Sequence, residues 1–277
     1  MKIAIAGGKG GTGKTTVALN LALSLEDAVL FDCDVEEPNC HLFLDLQLEP
    51  AGEVRVFYPR IDTEKCNLCG ECSRLCQFNA LVQLPAQILF LEDLCHSCGL
   101  CAMGCPQGAI TEEKRLTGKI EKGTGEVDFY QGKLITGEAH ASPVIEELKN
   151  KMTQEAINIL DVPPGCNCAS MTALEGVDFC VLVTEPTPFG FHDLKKSVEM
   201  LEDLNIPGAV VINRAGREPD KDTEDYCRTK KVPVLLRIPQ DEQIARLYSK
   251  GIAFVKEKPE WKKKFLTMYS KIKELIK

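Results

Sequence analysis

The sequence predicts an α/β fold: a mostly parallel sheet with helices on both faces, plus a small inserted cysteine-rich domain. Three observations lead there. Residues 3–6, a glycine loop, a helical stretch over 15–23 and the apolar run 28–31 follow in strand–helix–strand order, the pattern of a βαβ unit with parallel strands. The same rhythm returns from Val127 onward. Between about Pro59 and Glu113 it vanishes, and cysteines crowd in.

Beyond Val127 the strand-length apolar runs are 156–160, which ends in Asp161, then 177–183, 209–212 and 234–236. Helical periods lie between and after them, over 193–204, 222–230 and 241–248, with Gly251 stopping the last. Residues 261–277 are amphipathic: Trp261, Phe265, Met268, Tyr269, Ile272, Leu275 and Ile276 share one face, and lysines cover the rest. The expected role is a terminal helix packed on the sheet with a solvated lysine face; a membrane-surface anchor is the competing one. The expected division is a discontinuous body, 1–58 with 114–277, and an insert, 59–113.

At 277 residues the chain can bury a substantial core. Its net charge of −8 argues against a nucleic-acid-binding surface. No stretch of eighteen or more apolar residues appears, and residues 2–6 run straight into the glycine loop without the apolar region of a signal peptide. A cytoplasmic protein is expected. Fourteen cysteines in such a chain point to metal or redox chemistry rather than disulfides.

Gly8-Lys9-Gly10-Gly11-Thr12-Gly13-Lys14-Thr15 satisfies G-x-x-x-x-G-K-[ST] between a strand and a helix. Glycines let successive N–H groups curl around phosphate oxygens, and the helix that follows adds its N-terminal dipole. Lys14 is expected to reach the β- and γ-phosphates of a nucleotide, and the Thr15 hydroxyl to ligate Mg²⁺. Thr16 continues the same turn. Lys9 is a second cation inside the loop, placed to stabilise charge developing in phosphoryl transfer.

Cys66-x2-Cys69-x2-Cys72-x3-Cys76 is followed by Cys95-x2-Cys98-x2-Cys101-x3-Cys105-Pro106. This is the bacterial ferredoxin spacing written twice, in which the fourth cysteine of each run ligates the other cube. One [4Fe–4S] cluster is expected on Cys66, Cys69, Cys72 and Cys105, the other on Cys95, Cys98, Cys101 and Cys76. Gln77 stands where the second run has Pro106, a departure that touches a backbone turn and not a ligand. Zinc is the competing metal, but zinc ribbons use two separated C-x2-C pairs. An insert of this size is too small to fold on apolar burial alone.

The stretch from Lys9 to Thr15 resembles the deviant Walker A motif of the MinD, ParA, Mrp and nitrogenase iron protein superfamily. The resemblance implies a nucleotide-sandwich homodimer in which Lys9 reaches the partner's ATP. It further implies that Asp34, in Phe31-Asp32-Cys33-Asp34, orients the attacking water, with Asp32 a structural or Mg²⁺-side partner. In Asp161-Val162-Pro163-Pro164-Gly165 it implies that Asp161 contacts the Mg²⁺ shell and Gly165 senses the γ-phosphate. Asn213 matches the family's purine-reading asparagine, and Pro239-Gln240-Asp241 its second base-contacting segment. With the cysteine insert, the stretch 184–190 and His192-Asp193-Leu194-Lys195, the whole chain resembles a subgroup carrying a two-cluster ferredoxin domain, widespread in anaerobic bacteria and archaea.

Cys33, Cys40, Cys180 and Cys227 read as buried small hydrophobes or incidental thiols. Cys166 and Cys168 directly follow Asp161–Gly165, the segment that resembles the family's second switch. Facing themselves in a homodimer they would offer four thiolates for a third, bridging cluster or metal; a redox-active pair and a structural pair are the alternatives. The resemblance implies an ATPase. Three functions fit: ATP-gated electron transfer to a redox or metalloprotein partner, iron–sulfur cluster carriage or metallocentre assembly, and MinD-like positioning with redox-sensing clusters.

Overall fold

Aliphatic and β-branched runs too short for helices form the middle of a single sheet, buried on both faces. The computed structural model describes residues 1–216 and 221–276. In chain order it comprises β1 (Lys2–Ala6), α1 (Lys14–Ala22), β2 (Ala28–Asp32), β3 (Glu49–Ile61), α2 (Glu71–Leu75), β4 (Leu81–Gln83), β5 (Ile88–Phe90), α3 (Leu100–Met103), β6 (Ile110–Gly123), β7 (Asp128–Leu134) and α4 (Ser142–Lys149). There follow β8 (Ile157–Asp161), α5 (Cys168–Leu174), β9 (Phe179–Thr184), α6 (Pro188–Asp203), β10 (Gly208–Ala215), α7 (Lys221–Lys230), β11 (Val234–Pro239), α8 (Glu242–Ser249), α9 (Phe254–Glu257) and α10 (Pro259–Leu275).

The strands of the main sheet lie in the order β11-β10-β9-β1-β8-β2-β7-β6-β3. Pairing is parallel from β11 to β7 and antiparallel from β7 through β6 to β3. In β1 the alternation of side chains splits the core: Ile3 and Ile5 face α1 and α10, and Ala4 and Ala6 face the layer of α4 and α6.

The ribbon β3–β6 and strand β7 carried little apolar signal, because Glu, Lys and Arg fill the solvent-facing positions of an edge. The ribbon pairs without interruption across the expected domain limits, through Tyr58↔Glu113 and Pro59↔Glu112, to Ile61↔Ile110. The cysteine segment hangs from its far end, with the hairpin β4–β5 inside it. Helix α6 starts at Pro188, five residues before the expected start. Thr187 caps it by accepting from the Gly190 N–H at 3.0 Å, and proline is suited to the first turn.

Helix α10 buries Trp261, Phe265, Met268 and Ile272 against the face that holds α1. The ammonium of Lys264 lies 3.8 Å from the centre of the Trp261 ring. Lys277, the last residue of the expected amphipathic stretch, lies outside the described residues. Among the described residues no helix is long and apolar enough to cross a membrane. Since Phe265 is fully buried, Phe265→Ala is expected to cost about 3–5 kcal/mol of stability in denaturant unfolding. The wild-type chain is expected to stay in the supernatant when spun with anionic liposomes; recovery in the pellet would reject the packed-helix assignment.

Candidate functional site

Register brings the ends of three strands together. β1 pairs with β8 at Ile5↔Asp161 and β2 with β8 at Asp32↔Asp161. The glycine loop therefore leaves β1 beside two buried carboxylates. Gly13 caps α1 at φ +94°, a region that favours glycine, and a Cβ there would come 2.1 Å from Nδ2 of Asn213. That amide donates to the Thr12 carbonyl at 2.8 Å, so Asn213 braces the loop from β10.

Lys14 is buried, and its Nζ donates to the Lys9 carbonyl at 3.2 Å. Burial pushes its pKa down, while the charges of Asp161 and Asp34 oppose the shift. Thr15 Oγ1 donates to Asp161 Oδ2 at 2.6 Å. Asp161 Oδ1 is buried and has no hydrogen-bond partner. Asp32 accepts from the N–H groups of Asp34 at 3.1 Å and of Asn39 and Cys40 at 2.9 Å each. Burial, and the negative charge beside each, hold both Asp32 and Asp161 well above the usual carboxylate range. Asp34 is half-buried and also raised by burial, with Lys14 pulling the other way.

The donor set suits a divalent cation. Hard oxygens, one of them an unpartnered buried carboxylate oxygen, sit beside the Thr15 hydroxyl in the first turn of α1. The Cys40 thiol, 3.5 Å from Asp161 Oδ2, joins this group; single ligand atoms of Asp32, Cys40 and Asp161 lie within 4.8 Å of one another. Nothing in the sequence separates Cys40 from an ordinary buried thiol, so its place at the carboxylates went unforeseen. Gly165 takes φ +89°, and its N–H donates to the Gly7 carbonyl at 3.2 Å, joining the segment after β8 to the loop.

Gly8, Gly10, Gly11 and Thr16 lie in the loop and the first turn of α1, and beside Gly10 and Gly11 there is open space. Lys9 faces Glu185, which also binds Arg214; neither partner had been given a role from sequence. Pro239 pairs with Ala215, close to Asn213, whereas Asp241 caps α8 by accepting from the N–H groups of Gln243 and Ile244.

The eight clustered cysteines line two cavities. Cys66, Cys69, Cys72 and Cys105 line one; Cys76, Cys95, Cys98 and Cys101 line the other. The backbone repeats between the two runs: positive φ recurs at Leu68 and Ser97, Gly70 and Gly99, Asn79 and Gly108. The N–H groups of Ala80 and Ala109 each donate, at 3.3 Å, to the sulfur four residues earlier, Cys76 and Cys105. Burial pushes the thiols of Cys72 and Cys95 up, and that of Cys101 up to about 11. Cys166 and Cys168 are both exposed; the sulfur of Cys166 lies 3.9 Å from Ser197 Oγ, and Cys168 opens α5.

A family model described as the CobQ/CobB/MinD/ParA nucleotide binding domain matches residues 3–254. An uncharacterized protein of Methanocaldococcus jannaschii is 34% identical over 263 residues, 92% of each chain. A protein of Methanococcus maripaludis named iron-sulfur cluster carrier protein is 24% identical, covering 99% of this chain and 86% of its own. Among solved structures, the septum site-determining protein MinD of Pyrococcus horikoshii, complexed with Mg-ADP, superposes with a TM-score of 0.61 at 20% identity, over 98% of this chain and 95% of its own. That likeness establishes the fold.

Because Asn213 satisfies a loop carbonyl from inside the protein, Asn213→Ala is expected to weaken Mg-ATP binding about tenfold. That corresponds to the roughly 1–3 kcal/mol cost of a buried polar group left unpaired. Titration calorimetry checks it.

Proposed function

Since the chain belongs to the CobQ/CobB/MinD/ParA nucleotide-binding family, we propose that it is an ATP-hydrolysing homodimer whose nucleotide state controls electron transfer through two [4Fe–4S] clusters. The observation that carries this reading is the sorting of the eight thiols into two cavities, each taking three cysteines from one run and the fourth from the other. Zinc ribbons take two separated C-x2-C pairs, so two interleaved four-cysteine runs favour a cube over a single ion. Clusters held there would each accept or release one electron at a time.

In the ATPase half, the loop reads as a deviant Walker A motif. Lys14 and the loop N–H groups hold the phosphates of the chain's own nucleotide, and Lys9 serves the partner's. Mg²⁺ held on the side of Thr15, Asp161 and Asp32 would neutralise phosphate charge, while Asp34 positions the attacking water. Gly165 couples this end of the sheet to α5. Lys149 at the end of α4 donates to the carbonyl of Thr172 in α5 at 2.5 Å and to that of Glu175, just past its end, at 2.7 Å.

Just before α4, the His140 ring lies 4.2 Å from that of His96, which follows Cys95 and stacks on Phe78 at 3.7 Å. Arg115, on the ribbon, pairs with Glu92 in the insert and with Glu138 at 2.6 Å. These contacts give the second switch a continuous route to one cysteine cavity.

Carriage or assembly of clusters is the second reading, favoured by the relative named as a carrier and by the exposure of Cys69 and Cys98. Interleaved ligation of two cubes argues for retention over delivery. A redox-sensing positioning ATPase is disfavoured by the burial of Trp261, Phe265, Met268 and Ile272, although Leu275 and Ile276 at the end of the same face are exposed.

Anaerobic purification is expected to give about eight irons per chain, falling to about four in Cys76→Ser; iron well above eight would instead implicate Cys166 and Cys168. EPR spectra of the dithionite-reduced protein should change on adding Mg-ATP, and indifference to nucleotide would reject gating. Lys9→Ala should bind ATP normally yet lose dimer closure and about 10²-fold or more of its hydrolysis rate.

A further inference from the structure

We infer that Glu185 is a positioning residue that parks Lys9 on its own chain and thereby sets the threshold for dimer closure. The inference rests on the reading of Lys9 as the lysine that serves the partner's nucleotide. Glu185 directly follows β9, which pairs with β1 at Ala6↔Leu182, so the end of β9 and the start of the glycine loop are neighbours. Its side chain is only 10% exposed, and its two oxygens are divided between two cations. Oε1 accepts from Arg214 Nη1 at 2.6 Å. Oε2 faces Lys9 Nζ at 3.8 Å, beyond hydrogen-bond length.

The asymmetry makes the contact releasable. A buried carboxylate needs a cation, and Arg214 alone supplies a short charge-assisted bond. Arg214 sits at φ +53°, an uncommon conformation for a residue with a side chain. Lys9 can therefore leave without stranding the charge of Glu185. Its backbone stays in place, because its carbonyl accepts from Lys14. Only the side chain has to swing, and it is 38% exposed, beside the open space at Gly10 and Gly11. Before closure Glu185 competes for the ammonium; at closure the partner's phosphates take it.

The test is sedimentation equilibrium of the full-length, anaerobically purified chain with Mg²⁺ and a non-hydrolysable ATP analogue. Glu185→Gln removes the competing charge and keeps the shape. A long ion pair whose lysine is partly exposed is worth about threefold in an equilibrium constant, and two lysines are released per dimer. Half-dimerisation is thus expected at about tenfold lower protein concentration, an advantage that shrinks toward 1 M salt as the pair is screened. Arg214→Ala leaves Lys9 as the sole cation at Glu185 among the described residues and should shift the midpoint the opposite way. Since the two variants move in opposite directions, a general loss of stability cannot imitate both.

A wild-type midpoint in Glu185→Gln, or easier dimerisation in Arg214→Ala, overturns the inference while leaving the ATP-dependent dimer intact. A wild-type chain that stays monomeric with the analogue overturns both.

Discussion

Two carboxylates buried side by side at the ends of adjacent strands constrain this whole molecule. Parallel pairing puts Asp32 and Asp161 at the same level of the sheet, and the register of β1 places the phosphate loop beside them. Burial holds both well above the usual carboxylate range, with the charge of Asp34 adding to it at Asp32 and that of Asp32 at Asp161, so the pair is uncomfortable when ionised. The surroundings soothe it only in part. Asp32 collects three backbone N–H groups, whereas Asp161 receives one hydroxyl and one thiol and keeps one oxygen unpartnered. A divalent cation would relieve such a site. The segments leading away from these carboxylates, toward Asp34 and Gly165, are the ones whose conformation a bound metal–nucleotide would fix.

The edge of the sheet makes use of that position. β2, β7, β6 and β3 are hydrogen-bonded in succession, so the ribbon carrying the cysteines continues the scaffold that holds Asp32. A flexible tether would let the insert drift relative to the nucleotide. A paired ribbon of more than ten residues per strand instead holds it as a lever, and Arg115 braces that lever against Glu138 near α4.

Much of this was legible in the sequence because the signals are local. The glycine loop, the two cysteine runs and the strand-terminal aspartates are each fixed by spacing along a few residues, and the structure gathers them as their order implies. The expected burial of Cys33, Cys180 and Cys227 also holds. What escaped was set by tertiary contact. Cys40 looked like any buried thiol, and only the folding of its segment back under Asp161 distinguishes it. The brace that Asn213 gives the glycine loop, its amide donating to the carbonyl of Thr12, likewise joins residues far apart in the chain. The β3–β6 ribbon hid behind its charges, since an edge strand has one face for the core and the rest for water.

The insert shows how little apolar burial can do at this scale. Its own core amounts to Cys72, Leu81 and Ile110, with a few half-buried neighbours, of which Cys76, Cys101 and Cys105 are again cysteines. The residues that would have to be nonpolar filler are the ones with ligand chemistry, and the cavities they line lie where a small domain would otherwise be packed solid. Burial alone pushes these thiols toward their neutral form, so the arrangement gains nothing from staying dry and metal-free. It becomes sensible when metal–thiolate bonds take over the role of the core. Clusters bound there would hold the insert together as well as carry electrons, and a chain that gave them up would also give up the fold at the end of its ribbon.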